Sequence, residues 1–110
     1  MELKDLLIER LENLGLVRFT NSFGWICIYT GKNLFGGYKV IDDNILLLFL
    51  ILSEDSFEDS LNESFVKFDF GKTWSETEIS GADDLSRVNP YLKDAFEYSK
   101  IRRDKKQKFK

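Results

Sequence analysis

The stretch from Ile45 to Leu52 reads I-L-L-L-F-L-I-L, eight consecutive apolar residues unmatched elsewhere in the 110-residue chain. A helix that spans a bilayer needs about 20 such residues. The run is therefore a buried element of a folded domain. A strand wetted on one face alternates apolar and polar residues, whereas one covered on both faces is apolar throughout. Asp42, Asp43 and Asn44 precede the run, and Ser53, Glu54 and Asp55 follow it. Such residues form turns and caps and discourage continuation. The run is expected to be a central strand. Fully burying side chains of this kind contributes about 1.5–3 kcal/mol each, an upper bound because the unfolded chain already hides part of that surface. Both faces of the strand need a cover. The candidates are helices at the two chain ends or another subunit.

The flanking sequence supplies those helices. Leu3, Leu6, Leu7, Leu11 and Leu14 recur at helical spacing, which predicts an amphipathic helix over residues 2–14 that stops at Gly15. Its leucine stripe is core; the alternative is a homodimer surface. A short strand over 16–20, a turn at Asn21-Ser22 and a strand over 23–30 follow. Alternation in the second strand sets Trp25, Cys27 and Tyr29 against Ile26 and Ile28, and strand placement puts Trp25 and Trp74 in the core. Residues 31–37 read as a loop. Their G-x-x-x-x-G-G lacks the Lys-Ser/Thr of a phosphate-binding loop, and no helix pattern follows. A strand over 38–41, a turn at 42–44 and the apolar run then make a hairpin. Residues 53–64 suit a short acidic helix with Ser53 as its cap. Strands follow over 65–70 and 74–79, then a loop over 80–84 and a helical turn over 85–88. Asn89-Pro90 opens a last helix that runs to about Lys105. The order predicts one α+β domain over residues 1–110, with an antiparallel sheet of about five to six strands, a helix at each end and a short acidic helix between strands.

Composition excludes several chemistries. The chain has no histidine and one cysteine, Cys27. That removes the commonest general acid–base group, zinc sites and the Ser-His and Cys-His nucleophilic systems. No catalytic set, cofactor or metal is expected. Cys27 lies within W-I-C-I-Y and reads as a small buried hydrophobe rather than a reactive thiol. A single cysteine forms no intrachain disulfide, and Met1-Glu2-Leu3-Lys4 does not resemble a secretory signal. Both point to a cytoplasmic setting and away from the membrane.

Asp69-Phe70-Gly71-Lys72-Thr73-Trp74 resembles the Asp-box, the S-x-D-x-G-x-T-W hairpin of sialidase propellers, with Lys67 standing where that motif has Ser. The resemblance implies a hairpin turn in which Asp69 bonds turn amides and Trp74 packs beneath. It implies no glycosidase activity, because the motif occurs once and a propeller needs several blades.

Charge carries the functional hint. Lys100 to Lys110 holds seven basic residues and one acid, net +6. The first 99 residues hold nine basic and eighteen acidic residues, net −9. The candidate partner-binding residues are the acids Glu54, Asp55, Glu58, Asp59 and Glu63, with Asp83 and Asp84 enlarging the patch. The basic end, Lys100, Arg102, Arg103, Lys105 and Lys106, suits the negative end of a helix dipole, a protein contact or nucleic acid. The leading expectation is a small non-enzymatic protein-interaction module, an inhibitor or immunity-type protein whose acidic face meets a basic partner protein. One alternative is a dimeric adaptor, because the element order and acidic pI look like those of small secretion chaperones. Another is nucleic-acid binding through the basic tail.

Overall fold

The structure is a computed structural model. It describes residues 2–107, with side chains as far as Ile101. The elements are α1 (Leu3–Glu12), β1 (Arg18–Ser22), β2 (Trp25–Thr30), β3 (Asn33–Asp42), β4 (Ile45–Ile51), α2 (Glu54–Ser60), β5 (Val66–Lys67), β6 (Trp74–Ile79) and α3 (Asp83–Gln107). The strands form one antiparallel sheet in the order β1-β2-β3-β4-β6-β5. The apolar run is thus an inner strand, paired on both edges. Helices α1 and α3 share one face of the sheet. Leu46, Leu48, Leu50 and Leu52 point into that layer, where they meet Leu7, Leu11, Leu85, Val88, Leu92 and Phe96.

The second face of β4 has no helix over it. Phe49 is nevertheless almost fully buried, because Trp25, Phe68 and Trp74 close over its ring. The first cover on this side comes from strand side chains and from Phe68 of the β5–β6 connection, with no helix over them.

Several boundaries depart from expectation. Residues 33–37 are not a loop: they begin β3, the longest strand, and the turn before it is only Gly31-Lys32. Gly36 and Gly37 are there because bulk is forbidden. A Cβ on Gly37 would lie 2.8 Å from Phe49 Cζ and 3.2 Å from the Ile26 carbonyl oxygen. Asn21 and Ser22 pair within β1, and the turn falls on Phe23-Gly24. Both of those residues have positive φ, +55° and +82°, as a tight two-residue hairpin loop requires. At the next hairpin the Asn44 N–H donates to Asp42 Oδ1 at 2.9 Å, which closes the Asp-Asp-Asn turn as its composition predicts.

The last helix does not start at Pro90. It starts at Asp83 and carries Pro90 inside. Proline in a helix interior costs about 3 kcal/mol. Here Leu85 and Val88 before it, and Tyr91, Leu92, Ala95 and Phe96 after it, are all buried, and that packing outweighs the lost hydrogen bond. The strand expected over 65–70 shrinks to Val66–Lys67, and Phe68 and Phe70 turn onto the open face.

Candidate functional site

Two surfaces separate cleanly, one on each layer. The first is α2. A seven-residue helix is too short to be stable alone, and side chains pin both ends. The Ser53 backbone N–H and hydroxyl donate to the two carboxylate oxygens of Asp94 at 2.9 and 2.8 Å. Ser53 therefore anchors α2 to α3 and makes no side-chain cap bond to its own helix. At the other end the Ser60 hydroxyl donates to the Phe57 carbonyl at 2.6 Å and lies 2.8 Å from the hydroxyl of Ser75, inside the protein. The Ser60 hydrogen is committed to Phe57, so Ser75 is the donor in the serine pair. Tyr91 donates to Asp59 at 3.1 Å, and burial, then this bond, push its phenol pKa up.

Glu54, Asp55 and Glu58 face solvent on the anchored helix, and Glu63 is exposed just beyond it. Arg87 joins this region to α3 and β6. Its guanidinium donates to the carbonyls of Glu63 and Glu78, to the Thr77 hydroxyl and to Asp84 at 3.3 Å. Asp84 also accepts from the Ser80 N–H at 2.9 Å, which with Arg87 holds its carboxyl below the usual range despite some desolvation. Asp84 is thus engaged in starting α3, while Asp83 is exposed. Among the described residues Arg87–Asp84 is the only ion pair, and none of the α2 acids takes part in one.

The basic end is described only in part. Lys100 Nζ lies 4.3 Å from the centre of the Phe96 ring and covers it. The side chains of Arg102, Arg103, Lys105 and Lys106 lie outside the described residues, as do residues 108–110.

The second surface is the open face of the sheet, which sequence reasoning placed in the core. Trp25 and Trp74 are both half-buried and flank Phe49. The Trp74 ring is parallel to Phe49, with centroids 5.2 Å apart, and Trp25 meets it edge-on at 5.2 Å. Phe68 stacks on Phe49 at 5.1 Å and meets Phe70 at a tilt, with centroids 4.9 Å apart. Together with Cys27, Tyr29 and Leu34 these rings line a cavity of about 480 Å³. Phe70 is 75 % exposed at its rim and Phe23 fully exposed. Burial pushes the Cys27 thiol pKa up, which disfavours the thiolate and suits a small apolar lining residue. Two cations border the aromatic surface. Lys39 Nζ lies 5.7 Å from the Trp25 ring centre, and the Arg18 guanidinium 4.6 Å from that of Tyr29. On the other side, Glu76 and Glu78 share this face, because Glu76 pairs with Phe49 and Glu78 with Leu47.

The Asp-box resemblance holds in part. Residues 68–74 turn back as a hairpin, with the Phe68 N–H donating to the Trp74 carbonyl at 2.8 Å. The Trp74 ring packs directly beneath Gly71, where a Cβ would strike it. Among the described contacts Asp69 accepts no hydrogen bond from the turn amides. The turn is held instead by Trp74 and the neighbouring phenylalanines.

Among the described residues no group of three or more His, Cys, Asp or Glu side chains is gathered as a metal-binding set, and no helix is long and apolar enough to cross a membrane. No family model matches the chain, and neither a curated protein nor a solved structure shows significant similarity to it.

Proposed function

We propose that this chain is a small non-enzymatic protein-interaction module, of the inhibitor or immunity type, which binds a basic partner protein through the acidic surface of α2. The observation that carries the reading is the pairing of exposed acidic charge with a rigid support. Among the described residues no cation pairs with Glu54, Asp55 or Glu58, and all three ride on a helix held at one end by Ser53–Asp94 and at the other by Ser60–Ser75. A pre-anchored row of like charges loses little entropy on docking, and it steers an oppositely charged partner during approach. The net charge of −9 on the first 99 residues adds to that steering. Reversing Glu54, Asp55, Glu58 and Asp59 to Lys tests the reading. Capture of the partner from the native host should be lost, with circular dichroism unchanged. Undiminished capture by the folded variant would exclude α2 as the contact.

A further inference from the structure

The open face of the sheet is the feature the acidic helix leaves unused. Its core is Phe49 between Trp25 and Trp74, with Phe68 and Phe70 beside them. Large exposed aromatic surfaces on a small domain mark interaction sites, and Trp and Phe are enriched at the centres of interfaces. Phe23 adds weight. It is fully exposed at the tip of the β1–β2 turn that its φ of +55° helps to form, and that turn presents its ring to solvent beside the aromatic cluster.

The charges around the aromatic rings say what covers them. Lys39 on β3 and Arg18 on β1 lie on one side of β4, where the end of β3 also carries the acid Asp42; Glu76 and Glu78 on β6 lie on the other. Lys39, Leu47 and Glu78 stand in one row across β3, β4 and β6. Leu47 is half-buried on the open face between the two charges. A two-fold axis parallel to β4 and above the sheet exchanges the two sides. It places Lys39 of one copy over Glu78 of the other, and Glu78 over Lys39, with Leu47 against Leu47. That row, positive at its β3 end and negative at its β6 end, is self-complementary under that operation, as an isologous interface requires. A uniformly acidic or basic partner would find one flank repulsive.

We infer that the open face is a homodimer interface in which two sheets pack face to face about a two-fold axis along β4, with reciprocal Lys39–Glu78 ion pairs beside an aromatic centre. Face-to-face sheets pack about 10 Å apart, a gap that lysine and glutamate side chains from opposite sheets bridge. The helix layers, with α2 among them, remain on the outside. The inference stands independently of the α2 reading, which concerns the opposite side of the molecule.

Sedimentation equilibrium of the full chain, from low micromolar to near-millimolar concentration, tests it. The wild type should dimerise. Lys39→Glu alone and Glu78→Lys alone should each weaken the dimer at least tenfold, because each sets like charges opposite one another twice. The double variant Lys39→Glu/Glu78→Lys should restore it. Both positions are exposed, and circular dichroism verifies that each variant folds. A wild type that stays monomeric overturns the inference, and so does a monomer whose open face takes up a foreign peptide or apolar dye instead. A dimer indifferent to the single reversals, or weakened by them and not rescued by the double variant, overturns the two-fold arrangement. Loss of partner capture in the α2 variant with the dimer intact would separate the two surfaces experimentally.

Discussion

At the residue scale, polar side chains in this protein are divided between holding the fold and facing out. Asp84 and Arg87 belong to the first group. The Asp84 carboxyl is stabilised in its charged form by the Ser80 N–H and by Arg87, so its folded pKa lies below the ordinary value. A carboxyl lowered in this way stabilises the fold above the ordinary carboxylate pKa. That contribution fades as pH falls through the ordinary value and is gone below the lowered one. Asp84→Asn should therefore cost about 1 kcal/mol near neutral pH. The difference from wild type should shrink towards zero in acid. Urea denaturation at several pH values checks this, and a constant difference across pH would mean that the charge of Asp84 is not what matters. The aromatic residues of the open face were not legible as a group. Trp25, Phe49, Phe68 and Trp74 are scattered along the chain, and only the strand register brings them together. The alternation of β2 did separate Trp25, Cys27 and Tyr29 from Ile26 and Ile28. It could not say which set faced the helices.

At the element scale, the parts with strong periodicity or punctuation were readable. The leucine repeat marks α1, the apolar run marks β4, and Trp74–Ile79 alternates as β6 does in the fold. The misreadings share a cause: local propensity yielded to packing. Gly36 and Gly37 looked like loop residues, but their missing side chains make room for Phe49 in the adjacent strand. Pro90 looked like a helix start, yet buried residues on either side carry α3 through it. Acidic α2 was legible from composition, but its anchoring was not, because Ser60 and Ser75 are fifteen residues apart and meet only in the folded chain. Their hydrogen bond is buried, so Ser60→Ala leaves Ser75 without a partner and should cost about 1–3 kcal/mol. Ser60→Ala/Ser75→Ala should cost less than the sum of the two single variants. Thermal unfolding of the three variants measures this coupling. Strict additivity would show that the serine pair does not hold α2 to β6.

At the scale of the whole molecule, the protein has two contrasting sides. One is a helix layer over Leu46, Leu48, Leu50 and Leu52, bearing the acidic α2 on its exterior. The other is an aromatic sheet face with opposite charges on its two flanks. The expectation that β4 is covered on both sides holds within the chain, but the cover on the second side is a thin aromatic sheath with an open rim. Both tryptophans lie in that sheath, which makes their environment a direct report on it. Acrylamide quenching of tryptophan fluorescence as a function of protein concentration is the decisive measurement. Emission should be readily quenched at low concentration, where the open face is wet, and become protected as copies pair. Protection at every concentration would place the tryptophans in a closed core, and free quenching at every concentration would leave the open face without its partner copy; either result contradicts this account.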